Sequence, residues 1–228
     1  MNNAIEVKNL NRVYYSYQKS VGLMSSIKGF WNRKHIEKSA LTDINLTIPA
    51  GQVIGLVGAN GAGKTTLIKI LSGLIPPTSG EIKVLGYNPF ERKNGFLRQI
   101  SVLLGQKNQL WWDIAPVDSY QLLMNIYDLD VTKTQKKVKE LAEILNCSHV
   151  LETQLRRLSL GERMKMEIIG SLLHDPQILF LDEPTIGLDI VAQTSIRNFL
   201  SEYVKEKKPT IILTSHYKIG RASCRERV

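Results

Sequence analysis

Long apolar runs are missing from this sequence. None approaches the roughly 18–20 residues that a bilayer-spanning helix needs. The opening residues, MNNAIEVKNL, lack the apolar core of a signal peptide. A cytoplasmic chain is expected, and any membrane work would need a separate partner. Cysteine is nearly absent. Cys147 and Cys224 are the only two, too few for a disulfide framework or a metal knuckle. Low-complexity tracts, a disorder composition and internal repeats are absent as well. Acidic residues are in deficit: 30 lysines and arginines face 21 aspartates and glutamates, a net charge of +9. That sign suits nucleic acid, an anionic membrane surface or a merely solvated basic face. With 43% hydrophobic residues among 228, the chain can bury one substantial core, with or without an inserted subdomain.

The last residues differ in character. Residues 218–228, KIGRASCRERV, carry no apolar periodicity and follow abruptly on a good strand. They resemble a translated sequencing-library adapter. The expectation is a non-native tail at 218–228, with the natural chain continuing differently after about Tyr217. Setting 219–228 aside removes Arg221, Arg225, Arg227 and Glu226, and lowers the charge from +9 to +7.

Punctuation and periodicity divide the rest. Residues 5–8 alternate weakly, and 41–48 (LTDINLTI) alternate cleanly with a period of two, as half-buried strands do. Pro49, Ala50 and Gly51 then break the chain. Residues 53–57 form a short, continuously apolar run, the mark of a buried parallel strand. Helical spacing follows over 65–74, ended by Pro76 and Pro77. Further strands are predicted at 81–85, 100–104, 178–181 and 210–214, with a helix over 189–207. Between 108 and 173 the character changes: three segments with helix-like spacing, 117–127, 132–145 and 160–173, interrupt a strand-rich chain. Alternating strands and helices argue for a mainly parallel sheet flanked by helices, and the helical block for a lobe of its own.

The loop after the 53–57 strand carries chemistry. Gly58-Ala-Asn60-Gly61-Ala62-Gly63-Lys64-Thr65 fits G-x-x-x-x-G-K-S/T, set between a strand and a helix as that pattern requires. Its glycines let successive backbone N–H groups face one point, and the following helix aims its positive end at the same point. Lys64 adds a mobile charge for the β- and γ-phosphates, and the Thr65 hydroxyl can ligate Mg²⁺. A bland alternative is a glycine-rich turn with a surface lysine.

A second apolar strand, 178–181, ends in Asp182, Glu183 and Pro184. Asp182 can hold Mg²⁺, directly or through water. Glu183 is one residue on, points differently, and can polarise the water that attacks a γ-phosphate. Alone the pair is weak evidence. With a phosphate loop upstream it becomes strong.

Leu158-Ser159-Leu160-Gly161-Glu162 opens the 160–173 helix, with Ser159 and Glu162 spaced as a capping box. Here the sequence resembles the ABC ATPase family, whose signature is usually Leu-Ser-Gly-Gly-Gln. The order is also the family's: phosphate loop, Gln106, signature, acidic strand, Gly187-Leu188-Asp189, His216. The resemblance covers almost everything up to Tyr217. It implies an α/β fold with a P-loop NTPase core and a mainly parallel sheet, an inserted helical subdomain at about 108–173, and a small N-terminal antiparallel β region, all in one ATPase domain over 1–217. It implies ATP and Mg²⁺ as cofactors. Contacts to the nucleotide would come from Gly58, Asn60, Gly61, Ala62, Gly63, Lys64, Thr65 and Thr66. Tyr14 resembles the aromatic that stacks on adenine, with Tyr15 and Tyr17 as close rivals. Glu183, His216 and Gln106 would be catalytic, with Gln106, Thr65 and Asp182 near the metal. Ser159 and Gly161 would touch the γ-phosphate held by a second subunit, with Asp189 in an inter-subunit loop. Two departures stand out: Leu160 replaces a glycine and Glu162 a glutamine.

Between Tyr17 and Ala40 the chain exceeds what the family needs. Val21, Leu23, Met24, Ile27, Phe30 and Trp31 fall mostly on one helical face, with Lys28, Arg33 and Lys34 off it or just after. This suits either a basic amphipathic helix at the membrane interface or an ordinary surface insert. That insert, the segment 105–113 (GQKNQLWWD) and the signature segment LSLGERMKME together look like a bacterial branch of ABC-2-type export ATPases. Leu110, Trp111 and Trp112 form a candidate docking face for a membrane subunit, and the alternative is that Trp111 and Trp112 are partly buried core. The expected role is an ATPase that dimerises on ATP and drives a transmembrane permease from the cytoplasmic face, with export favoured over import and no nucleic acid involved. The alternative is a soluble ABC ATPase acting on nucleic acid or ribosomes. Soluble members resemble this chain less, since they usually carry two cassettes or a long coiled coil, and it has one cassette and no sustained heptads.

Overall fold

Two sheets of opposite kind share the chain. In the computed structural model, which describes residues 3–17, 35–105 and 108–215, strand β1 (Asn3–Tyr17) pairs antiparallel with β2 (His35–Pro49) on one edge and β4 (Ser79–Val84) on the other. Ile5, Val7 and Leu10 of β1 are buried while Lys8 and Asn9 are exposed. The step from Val7 to Leu10 comes from a bulge in which Asn9 takes a left-handed φ of 49°. β1 and β2 are much longer than the alternation at 5–8 and 41–48 indicates. They remain paired out to Tyr17 and His35. Residues 35–40 therefore belong to β2, and the rest of the insert, with the apolar face from Val21 to Trp31, lies outside the described residues.

The second sheet is parallel, in the order β3 (Val53–Val57), β7 (Thr210–Ser215), β6 (Ile178–Asp182), β5 (Ile100–Leu104). Every residue of β6 is buried, because it is a central strand covered on both faces. Its side chains alternate between two cores. Ile178 and Phe180 join the core shared with the antiparallel sheet and helix α1 (Lys64–Leu71), while Leu179 and Leu181 join the core under the helices of the other face. α1 supplies Leu67, Ile68, Ile70 and Leu71 to the first of these.

A short helix α2 (Asn94–Leu97) leads into β5. Between β5 and β6 run α3 (Pro116–Tyr127), α4 (Val131–Ile144) and α5 (Leu160–Leu172), and α6 (Ile190–Lys207) crosses from β6 to β7. The helical block does not bury a core of its own. Tyr120, Leu141 and Met166 share one apolar cluster with Leu179 and Leu181 of the sheet and Ile196 of α6. α5 is the bridge, packing on β5 as well as on α4.

Since all four strands of the parallel sheet point the same way, their carboxyl ends share one edge. Val57 lies beside Ser215, Thr214 beside Asp182, and Asp182 beside Leu104. The loops leaving that edge begin at Gly58, Glu183 and Gly105. Ligands of open α/β sheets bind at such an edge.

Candidate active site

The loop after β3 turns on glycines at φ 82° (Gly61) and 88° (Gly63), the left-handed region that other residues avoid. Gly63 is constrained twice. A Cβ there would stand 2.5 Å from the Ala40 carbonyl oxygen and 2.7 Å from Leu41 Cδ2. The loop therefore closes against β2, and α1 starts with its N-terminus facing the cleft and no acidic residue in its first turn. Lys64 folds back over the loop, its Nζ donating to the carbonyls of Gly58 (2.7 Å) and Ala59 (3.0 Å). A cleft of about 400 Å³ opens there, lined by residues 60–66 with Tyr14, Lys38, Ala40 and Glu183.

Of the three tyrosines, Tyr14 lines this cleft. The Arg12 guanidinium lies 4.6 Å from its ring centroid, held by a bond to the Pro76 carbonyl, and so backs the ring. Tyr15 is 59% exposed and takes no part in the lining. The ring of Tyr17 lies outside the described side chains.

Asp182 is buried at the end of β6 and accepts two hydroxyls. Thr65 Oγ1 is 2.8 and 3.1 Å from its two oxygens, and Thr214 Oγ1 is 2.7 Å away. Thr214 also accepts from the Glu183 backbone N–H at 2.9 Å. Glu183 takes φ 55°, a sparsely populated conformation that persists only where the surroundings impose it. The turn separates the two carboxylates: Asp182 is fixed under Thr65, and Glu183 lines both the phosphate-loop cleft and a neighbouring one with Lys69, Gly105 and Ile186. Mg²⁺ is a hard cation that takes oxygen ligands and keeps several from phosphate and water. A threonine hydroxyl and a carboxylate in contact beside a phosphate cradle fit that donor set. Among the described residues there is no cluster of three or more His, Cys, Asp or Glu that would make an all-protein cage.

Ser159 forms a full capping box at the start of α5. Glu162 Oε2 accepts from the Ser159 backbone N–H at 2.9 Å and its hydroxyl at 2.7 Å, and His149 Nε2 is 3.4 Å from Oε1. The Ser159 side-chain and backbone bonds are the main cause that holds the Glu162 carboxyl below its usual range. The substitution at this position thus supplies a cap. Gly161 is required by packing: a Cβ would sit 2.9 Å from Ala192 Cβ in α6. Asp189 caps α6 by accepting from the Ala192 N–H at 2.9 Å. Gly161 and Asp189 thus lie side by side at the starts of two helices, with Ser159 capping the first, and none of the three lines the phosphate-loop cleft. Gln106 and His216 lie outside the described residues, as does the tail 218–228. Leu110 is buried, while Trp111 and Trp112 are 44% and 41% exposed. The docking-face reading of the 110–112 segment is thus corrected at Leu110, which is a core residue.

Two groups at the site carried no signal in the sequence. Lys38, which lines the cleft, sits on β2 far from any motif, and Thr214, bonded to Asp182, lies near the end of an ordinary apolar strand. Thr214→Val keeps the shape of the residue but removes both the donor to Asp182 and the acceptor for the Glu183 N–H. Residues that orient ligating carboxylates typically matter by about 10–100-fold in metal affinity or activity. The expected result is a loss within that range, partly recovered by excess Mg²⁺. ATPase titrations against Mg²⁺ check it, and a parental curve would remove Thr214 from the site.

Residues 41–186 match the ABC transporter family. NatA of Bacillus subtilis, an ABC transporter ATP-binding protein, is 31% identical over 86% of this chain and 79% of its own length. BcrA of Bacillus licheniformis, a bacitracin transport ATP-binding protein, is 34% identical over 78% of this chain but only 57% of its own length. Among solved structures, cbiO1 of Clostridium perfringens, part of the cbiONQ ABC transporter complex, superimposes with a TM-score of 0.72 at 26% identity, covering 95% of this chain and 80% of its own. A dimeric ATP-binding cassette bound to ADP and phosphate shares the fold with a TM-score of 0.75 at 21% identity, over 93% of this chain and 88% of its own. A family match across residues 41–186, joined to that identity with NatA, establishes kinship: this chain is a member of the ABC transporter family, an ATP-binding subunit.

Proposed function

We propose that two copies of this chain close head to tail on two ATP molecules and that the closure drives a separate membrane subunit, most simply for export. The observation that carries the chemistry is the contact of Thr65 with Asp182, with Glu183 at the same cleft. Thr65 and Asp182 would hold Mg²⁺, which screens the phosphate charge when bound. Lys64 and the loop N–H groups bind and orient the phosphates. Glu183 accepts the proton of the attacking water. Gln106 and His216 would complete the water and γ-phosphate contacts.

The dimer reading is supported by what stands apart from the cleft. Ser159 and Gly161 are at a helix N-terminus, a fitting place for an anion held by another subunit. Next to them Ile190 and Val191 are 82% and 79% exposed, an apolar pair suited to contact with a second copy. A separate membrane partner is compatible with the described residues, among which no helix is long and apolar enough to cross a bilayer. The cassette would work at the cytoplasmic face of the membrane. Export rests on the likeness of the 105–113 and signature segments to the ABC-2-type branch, and the transport named for BcrA is compatible with it.

Purification of the tagged chain from detergent-solubilised membranes tests this reading. A polytopic membrane protein is expected at stoichiometric yield. Ribosomes or DNA in its place would overturn it in favour of a soluble ABC ATPase.

A further inference from the structure

One face of α5 grips the chain that leaves β5. Arg163, Glu167 and Gly170 are spaced by four and three residues, so they stand above one another on the helix. Each holds a different part of one short segment. The Arg163 guanidinium carbon is 4.4 Å from the Trp112 ring centroid. Both Glu167 oxygens accept the Gln109 backbone N–H, at 3.0 and 3.1 Å, and Oε1 also receives that of Leu110 at 3.3 Å. At Gly170 a Cβ would lie 3.1 Å from Leu110 Cδ2, so the leucine rests on the bare helix there. The Gln109 amide in turn donates back to the Val102 carbonyl in β5. Glu167 is 4% exposed.

Its place in the fold is as telling as its bonds. Glu167 lines a cavity of about 280 Å³ bounded by Gly105 after β5, Leu160 at the signature and Gly187 in the turn after Glu183. Three segments assigned to ATP chemistry meet around this one carboxylate. We propose that Glu167 is a positioning residue for ATP hydrolysis, tying the segment after β5 to the helix that begins at Ser159 so that the two take up one fixed relation. The proposal rests on the reading that the Ser159 helix faces ATP.

Folding alone does not favour this carboxylate. Burial pushes its carboxyl up to about 7, against the lowering effect of the Leu110 and Gln109 N–H groups and of Arg163. Among the described residues the titratable groups facing it are Arg163 on its own helix and Tyr120 from α3. A folded value above the unfolded one means that stability is greatest below the unfolded value, about 4.3, and is lost as pH rises through about 7. At pH 8 the protein keeps a buried charge at a cost to stability, which is the pattern of a group retained for function.

The test is Glu167→Gln in the full chain at pH 8, with Glu183→Gln as control. The amide offers one acceptor where the carboxylate offers two, and its NH₂ faces a donor. The segment should shift, and misplacement on the ångström scale costs rate rather than binding. The expected result is kcat lower by about tenfold or more, KM for MgATP within about twofold, and a melting temperature no lower than the parent's. Glu167→Asp keeps the charge and withdraws it by one methylene, and it should show the same split if the amide variant does not fold. Parental kcat in either folded variant overturns the proposal, and so does a kcat loss that only follows a fall in melting temperature. If Glu183→Gln retains hydrolysis, the reading of the site has failed instead.

Discussion

Glu183→Gln is expected to bind ATP as the parent does and to hydrolyse it at least ~10²-fold more slowly. The argument is one of separated duties. Asp182 is buried, bonded to Thr65 and Thr214, and fixed where a metal would be held. Changes there or at Thr65 should weaken binding and hydrolysis together. Glu183 follows a sharp turn at φ 55° and reaches the cleft by another direction. Its amide keeps the size of the side chain and most of its hydrogen bonding but loses the charge and with it the capacity to take a proton. Unhydrolysed ATP should then hold two subunits together, since Ser159 and Gly161 stand outside their own cleft. Size-exclusion chromatography should show an ATP-dependent dimer for the variant and a return to monomer for the parent. Hydrolysis at the parental rate would refute the assignment of Glu183. Arrest without a dimer would leave that assignment standing and remove the shared-site mechanism.

The parallel sheet was legible because its strands are covered on both faces, which forces continuous apolar runs. Residues 53–57 and 100–104 coincide with β3 and β5, and 178–181 falls one residue short of β6. The antiparallel sheet was legible only where burial alternates. β1 continues through Arg12, Tyr14 and Tyr15 on ladder bonds with no buried apolar face, and backbone bonding leaves no mark on side-chain periodicity. The cleft followed the same rule. Thr65 and Asp182 sit in patterns with a required local context, and the fold brings them into contact across 117 residues. Thr214 does its work through one hydroxyl in an apolar strand, where threonine is an ordinary strand residue. Glu167 was hidden for a different reason. A carboxylate among helical apolar positions reads as a solvated residue unless its two backbone donors, 57 and 58 residues away, are known. Gly161 has two grounds for being a glycine. The motif points to a phosphate contact, and the packing of α5 on Ala192 demands a glycine as well.

Lys64→Ala should weaken MgATP binding by roughly 10–150-fold, the equivalent of about 1.5–3 kcal/mol for a charge-assisted hydrogen bond. The lysine does not come to the nucleotide from free solution. Its Nζ already donates to the carbonyls of Gly58 and Ala59, so binding exchanges two neutral acceptors for phosphate oxygens that carry charge. The net gain is the difference between the two sets, which is why the effect is bounded. Gly58 is only half-buried and Ala59 is exposed, so water can replace the ammonium in the variant and the fold should keep its parental melting temperature. Lys64→Arg should not restore affinity, since a planar fork cannot occupy the position of a compact ammonium above the loop. Isothermal titration of MgATP into the full chain checks both variants. Tyr14, the aromatic expected to stack on adenine, is untouched by either change, so some binding should remain. Affinity within about threefold of the parent for Lys64→Ala, less than half a charge-assisted bond, would mean that the phosphates are held by the loop N–H groups and the α1 N-terminus without the lysine.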